Sequence, residues 1–215
     1  MSDDLEKWES AETPAVADAL DRLGGSGQVL SGELRPLDTA SVLVGRARTM
    51  QFGPGETQQD YDELMQAMTG FLDSLQPGDV PVVACGLPRR YTIIGEILAT
   101  AAQVRGSPGW VTDGLIRDAK GIRGIGYHVF CAGFSPLSFI KRARIISVDK
   151  PVICGGVPVD PGDRIVGDMD GCVAIPRAHE SEVLAMLQSD VATDVKMRAA
   201  LRAGQALADV LAETH

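Results

Sequence analysis

The sequence predicts one mixed α/β domain, in which βαβ units stack with an antiparallel sheet layer between terminal helices. Three observations predict it. Residues 92–132 alternate short apolar runs with helical stripes, punctuated by glycine. Residues 145–175 break instead into short β-rich runs divided by turn residues. Apolar positions also recur at helical spacing near both ends of the chain. At 215 residues there is length for one large domain or two small ones, and nothing in the chain favours two.

Thr13-Pro14 opens the first helix, threonine as the cap and proline in the first turn. Val16, Leu20 and Leu23 share one face and Gly24-Gly25 stops the helix, giving a span of about 14–23. Residues 26–41 read as loop. Residues 42–44 and 47–52 read as strand, with Gly45 marking a bulge or bend and Gly53-Pro54-Gly55 a turn or mobile loop. Asp60 followed by Glu63 resembles a capping box, and Tyr61, Leu64, Met65, Met68, Phe71 and Leu72 follow at helical spacing. Pro77-Gly78-Asp79 turns the chain into a strand over 80–85, whose Pro81 restricts it to an early or edge position. Gly86-Leu87-Pro88 ends it.

Thr92-Ile93-Ile94 is a short strand, Gly95 a break, and Ile97, Leu98, Ala101 and Val104 stripe a helix that Gly106 ends. Trp110-Val111-Thr112 resumes strand and Asp113-Gly114 turns. Asp118 caps a short helical turn carrying Ile122 and Ile125, and residues 129–132 return to strand. Five short strands follow, over 145–148, 152–154, 157–159, 164–166 and 172–175, a pattern of antiparallel β. Pro176 starts a helical tail over about 177–211, with Val183, Leu184, Leu187, Val191 and Val195 at helical spacing and Gly204 a weak point.

Charge and cysteine usage narrow the function. With 20 Lys+Arg against 29 Asp+Glu the chain carries a net charge of −9, which repels nucleic acid and anionic membranes unless a basic patch is segregated. The densest basic runs, Arg89-Arg90 and Lys141-Arg142-Ala143-Arg144, are short. The acidic N-terminus leads into no apolar signal core, and no apolar run reaches the ~18–20 residues of a membrane span. Cys85, Cys131, Cys154 and Cys172 form no CxxC pair and read as reduced core residues of a cytoplasmic protein.

Two turns carry the candidate chemistry, Gly95-Glu96-Ile97-Leu98 and Arg117-Asp118. The first amides of a helix lack internal partners, so a carboxylate docked at residues 95–98 gains hydrogen bonds and the helix dipole. Glycine lets the backbone approach the ligand closely. Arg117 can grip a carboxylate bidentately, and Asp118 can ligate Mg²⁺ or Mn²⁺ while waters complete the octahedron. Each turn alone is also consistent with an ordinary strand-to-helix turn and a surface charge pair. Ligands bind outside the carboxyl ends of strands in α/β sheets, so if strands 92–94 and 110–112 are parallel neighbours the two turns meet. Asp113 either orients Arg117 or serves a tight Asp-Gly turn.

Rival constellations are missing. His128, His179 and His215 form no triad, and Ser135 lacks a nucleophile-elbow context. There is no GxxxxGK[ST] loop and no GxGxxG leading a helix. Asp160, Asp163, Asp168 and Asp170 sit where turns need aspartate.

Four segments taken together resemble the RraA-like family: Gly95 to Ala99, Gly109 to Asp118, Val157 to Asp163, and Gly167 to Gly171. Thr13 to Leu20 matches in style, so the resemblance covers nearly the whole chain. The family includes 4-hydroxy-4-methyl-2-oxoglutarate aldolases, oxaloacetate decarboxylases and inhibitory regulators of ribonuclease E. The resemblance implies a β/β/α sandwich related to swivelling phosphohistidine domains. It also implies assembly as a trimer or a dimer of trimers, with a divalent-metal site in a cleft between subunits.

By the same resemblance Arg117 binds the pyruvate carboxylate, Asp118 holds the metal, and the backbone of Gly95, Glu96, Ile97 and Leu98 completes the pyruvate site. The family also uses a C-terminal-helix glutamate of the neighbouring chain through metal-bound water, and Asp194 is its nearest match here; the candidates for the general base are that water, assisted by Asp194, or Glu96. The expected activity is cleavage of the C3–C4 bond of a 2-oxo acid, by retro-aldol reaction or loss of CO₂, with Mg²⁺ (or Mn²⁺) as Lewis acid. Two departures bear on substrate choice. Cys131-Ala132-Gly133-Phe134 lacks an arginine that many of the aldolases carry, and Arg89-Arg90-Tyr91 has no counterpart. The alternative role is a non-catalytic regulator that binds a basic protein surface.

Overall fold

The protein, seen in a computed structural model that describes residues 7–8, 10–25, 28–86 and 91–212, is a mixed α/β domain. Its first half comprises α1 (Thr13–Arg22), β1 (Arg35–Pro36), β2 (Leu43–Pro54), α2 (Gln58–Asp73), β3 (Asp79–Cys85), β4 (Thr92–Ile94) and α3 (Glu96–Val104). There follow β5 (Gly109–Thr112), β6 (Leu115–Ile116), α4 (Ala119–Gly124), β7 (His128–Cys131), β8 (Ala143–Val148), β9 (Val152–Cys154) and β10 (Val157–Val159). The chain closes with β11 (Arg164–Gly167), β12 (Cys172–Ile175), α5 (Glu180–Arg202) and α6 (Leu207–Ala212).

Among the described residues, eight strands form the main sheet, in the order β1-β7-β5-β3-β2-β11-β12 with β8 also on β2. β2, β3, β5 and β7 are parallel neighbours joined by helix-bearing connections, as the alternating rhythm predicts. β2 takes two antiparallel partners, β11 against residues 43–46 and β8 against residues 50–54. The expected antiparallel second half is therefore present, completed by the β11–β12 and β9–β10 pairs.

Among the described residues, three apolar clusters hold the layers. One joins α2, α3 and α4 to one face of the sheet through Met50, Phe52, Leu64, Met68 and Trp110. A second lies between the sheet and the β9–β10 hairpin, and a third packs α1 and α5 on β11 and β12. In the last layer Arg164, 1% exposed, donates from Nε and Nη2 to Glu180 Oε1 at 2.8 and 2.6 Å beneath the Trp8 ring.

Several local expectations are corrected. Gly45 does not break β2; a Cβ there would lie 2.5 Å from Gly78 O, so the glycine permits close packing within a continuous strand. The register shift falls instead at Gln51/Phe52, and β2 runs on to Pro54 where a turn was expected. β3 lies inside the sheet, so of the two placements expected for Pro81 the early one holds: it is the third residue of the strand, and pairing with β5 starts only at Val82. The capping box of α2 uses Thr57 with Asp60, one turn earlier than Asp60 with Glu63.

Thr13 is the first residue of α1, not its cap; its N–H donates to the distant Asp168 carboxylate at 2.8 Å. The tail divides at Gly204 (φ 88°) into α5 and α6; Val183 and Leu187 of α5 and Val210 of α6 are buried, while Val191 and Val195 between them are exposed. Leu87, Pro88, Arg89, Arg90 and His215 lie outside the described residues.

Candidate active site

β4 and β6 stand apart from the main sheet as a two-stranded parallel pair. This corrects the expected pairing of strand 92–94 with strand 110–112, since β5 is taken up by β3 and β7. The consequence survives. The chain leaves β4 at Gly95 and β6 at Arg117, and the Arg117 N–H donates to Ile94 O at 3.0 Å. Both turns thus lie at one carboxyl edge, where α/β sheets place their ligands.

The contact between the turns is close. Gly95 caps α3 in an extended conformation that any residue adopts, so backbone freedom is not its purpose. A Cβ there would lie 2.5 Å from Asp118 Oδ2, 3.0 Å from Arg117 Nε and 3.2 Å from Arg117 Cγ. The missing side chain is the space the charged pair occupies. Asp118 Oδ2 also accepts from the Glu96 N–H at 3.3 Å and lies 3.5 Å from Arg117 Nε. The amides of Ile97 and Leu98 follow in the same first turn, without intrahelical acceptors.

Asp118 occupies the cap position of α4, yet its side chain makes no capping hydrogen bond. Its backbone is left-handed (φ 56°, ψ 32°), a conformation costing a non-glycine residue about 1 kcal/mol and best tolerated by Asp and Asn. The left-handed turn holds the carboxylate at the Gly95 edge, half exposed beside Arg117. Glu96 leans across α4. A Cβ on Gly121 would overlap its carboxylate, so that glycine clears the groove in which Glu96 lies.

The other candidates separate from this site. Asp113 ties β3 to the β9–β10 turn, its carboxylate accepting from Cys85 N at 2.6 Å and Gly155 N at 3.1 Å. Asp194 sits on the exposed half of α5 beside Arg198 at 3.6 Å, and within one chain it is not at the Gly95 edge. Cys131, Cys154 and Cys172 are buried with thiols pushed up by desolvation, Cys172 to about 12, as reduced core cysteines should be. Cys85 is half buried.

Two cavities flank Arg117 and Asp118. One, of about 160 Å³, includes Gly95 and is walled by Tyr61 and Met65 of α2 and by Phe139 and Ile140. The other, of about 380 Å³, opens toward Phe134, Ser135 and Pro136. A larger, open cavity of about 610 Å³ lies at the amino ends of β5 and β7, where Val42, Val44, Ser107 and His128 line it. Its described lining residues bring no carboxylate and cation together, so we assign the site to the two cavities at Arg117 and Asp118. Sequence reasoning missed their walls. Tyr61 and Met65 carried only a helix-core signal, and residues 138–140 carried none.

Residues 13–174 match the RraA-like family (Aldolase/RraA). The chain belongs to the RraA-like family. Among its RraA-like relatives is the "Putative 4-hydroxy-4-methyl-2-oxoglutarate aldolase" of Halalkalibacterium halodurans, 32% identical over 192 residues, covering 89% of this chain and 85% of the relative. RraAS2 of Streptomyces coelicolor, described as an unusual member of the RNase ES inhibitor RraA protein family, superposes with a TM-score of 0.81. It is 29% identical, with 92% of this chain and 96% of that one covered. An uncharacterised protein of Pseudomonas syringae pv. tomato superposes with a TM-score of 0.84 at 25% identity, covering 98% of this chain and 97% of that one.

Proposed function

We propose that the protein is a lyase that cleaves the C3–C4 bond of a 2-oxo acid and releases pyruvate, with a divalent cation, Mg²⁺ or Mn²⁺, as cofactor. The observation that carries this reading is the meeting of the Gly95 helix start, Arg117 and Asp118 at one strand edge, with Gly95 bare where the pair sits. Relatives named as aldolases support the enzyme class.

The donor set suits a hard, hydrated cation. Asp118 offers one half-exposed carboxylate, and among the described residues no group of three or more His, Cys, Asp or Glu forms a closed cage. Mg²⁺ keeps several waters and is commonly bound through one or two carboxylates, whereas a structural zinc site needs four protein ligands. When bound at Asp118, the cation supplies Lewis-acid stabilisation of the negative charge that develops on the substrate's 2-oxo oxygen.

The chain's own residues do the rest. Arg117 and the amides of the first α3 turn bind the substrate carboxylate and fix the C3–C4 bond beside Asp118. In the aldol case the 4-hydroxyl proton passes to a base as the C3–C4 bond breaks and the C4 carbonyl forms; C3 then takes a proton and pyruvate leaves. Glu96 is the base candidate within the chain. Asp194 of a neighbouring chain, acting through water, is the other. Assembly as a trimer or dimer of trimers is part of this reading, and the exposed Val191 and Val195 beside Asp194 support it.

Pyruvate release measured with lactate dehydrogenase, on oxaloacetate and 4-hydroxy-2-oxo acids with Mg²⁺ or EDTA, tests the proposal. Asp118→Asn keeps the left-handed turn and should lose over 100-fold in kcat/KM, as should Asp118→Ala; full activity in either variant would refute it. The similarity to RraAS2 favours a second reading, a non-catalytic regulator. Silence across the substrate panel would select it.

A further inference from the structure

The cavity beside the carboxylate site is apolar, and that is informative about the other end of the substrate. Tyr61, Met65, Ile97, Leu98, Phe139 and Ile140 wall it, while Gly95, Arg117 and Asp118 close one end. Among the described residues, the ionised side chains lining this cavity and the open one beside it are Arg117 and Asp118 alone. With Arg117 on the 1-carboxylate, neither cavity is lined by a second cation among the described residues.

The walls are held in place. Phe139 is buried and packs edge-on against Phe52, ring centroids 5.8 Å apart at 82°. The segment carrying it is hydrogen-bonded to both site strands, Thr92 N to Leu137 O at 2.8 Å and Ser135 N to Ile116 O at 3.0 Å. A cavity of about 160 Å³ is comparable to the ~150 Å³ apolar cavity that binds benzene. Ile97 and Ile140 extend the apolar surface to the rim, 83% and 38% exposed.

We propose that the substrate is a 4-hydroxy-2-oxo acid whose C4 substituent is apolar, a short or branched alkyl group or a single ring, and that dicarboxylic 2-oxo acids are disfavoured. This rests on the reading of Gly95, Arg117 and Asp118 as the 2-oxo-acid site. Against these walls a second carboxylate would shed water with no cation among the described lining residues to meet it, whereas an alkyl group or ring buries apolar surface against matching walls. Cleavage breaks C3–C4, sends the 4-hydroxyl proton to the base, frees an apolar aldehyde or ketone, and protonates C3 to give pyruvate.

The test compares kcat/KM for pyruvate release, with Mg²⁺ supplied, on 4-hydroxy-2-oxohexanoate and 4-hydroxy-2-oxo-4-phenylbutanoate against 4-hydroxy-4-methyl-2-oxoglutarate and oxaloacetate. One methylene in an apolar pocket is worth roughly 10–200-fold, so we expect at least about a tenfold preference for the better apolar substrate. Equal rates, or a preference for the dicarboxylates, would overturn the assignment while leaving the lyase reading intact. Pyruvate from none would overturn both. Ile140→Arg, on the exposed rim, and Met65→Lys, inside it, should move the ratio toward the dicarboxylates. A ratio unmoved by both would place the C4 substituent elsewhere and refute the inference.

Discussion

Adding one methyl group at Gly95 tests the site without disturbing the fold. In Gly95→Ala the new Cβ would begin 2.5 Å from Asp118 Oδ2, and ordinary contact starts at 3.4 Å, so the carboxylate must retreat by about 0.9 Å. Arg117, at 3.0 and 3.2 Å, must also give way. The backbone has no objection, because φ −132° and ψ −177° suit alanine. Alanine is a poorer helix cap than glycine, but it also lowers the entropy of the unfolded chain. Each effect is of order 0.5–1 kcal/mol, and they oppose one another. Misplacing a catalytic group by about 1 Å costs of order 100-fold in rate, or about 2.7 kcal/mol of barrier. We therefore expect an unchanged melting temperature and a fall of about 100-fold in kcat/KM for pyruvate release. Thermal unfolding and the coupled assay on the same preparation check both halves. A well-folded variant within about threefold of wild type would refute the view that Gly95 is bare to seat Asp118 and Arg117.

Further expectations concern stability. Glu180→Ala removes the carboxylate that the buried Arg164 grips, and should cost about 3–5 kcal/mol by urea denaturation. The double variant Arg164→Met/Glu180→Leu should be less destabilised than Glu180→Ala, and a larger loss would show that the pair stabilises beyond its desolvation cost. Burial lowers the pKa of His128, with Asp38 opposing in part. Protonation therefore favours the unfolded chain: this contribution to stability is intact above the unfolded value of about 6.5 and is lost as pH falls below it and through the folded value. The urea midpoint should drop more between pH 7.5 and 5.5 in wild type than in His128→Gln; equal drops would argue against a desolvated imidazole.

What the sequence determined by itself was local and periodic. Leu64, Met68, Phe71 and Leu72 repeat at helical spacing and are buried on one face of α2, and the Gly95 and Gly106 breaks bracket α3 as expected. The split between a parallel first half and an antiparallel second half was legible for the same reason, because βαβ spacing and turn-divided strands leave different marks. Arg117 and Asp118 could be proposed from chemistry and resemblance, since residue types carry charge and donor capacity wherever they lie.

Contact between distant segments was decided only by the tertiary structure. Pairing of β4 with β6, not β5, follows from competition for sheet edges, because β5 finds β3 and β7 on its two sides. Gly45 looked like a break and proved a point of close approach, a distinction set by Gly78 more than thirty residues away. Asp168 caps α1 from across 155 positions, beyond any local rule. The apolar wall of Tyr61, Met65, Phe139 and Ile140 exists only where α2 and the 138–140 segment meet beside the charged turn. Periodicity could say that Tyr61 and Met65 share a helix face. What that face looks onto was settled by long-range packing, where the energy of burial depends on neighbours the local sequence does not name.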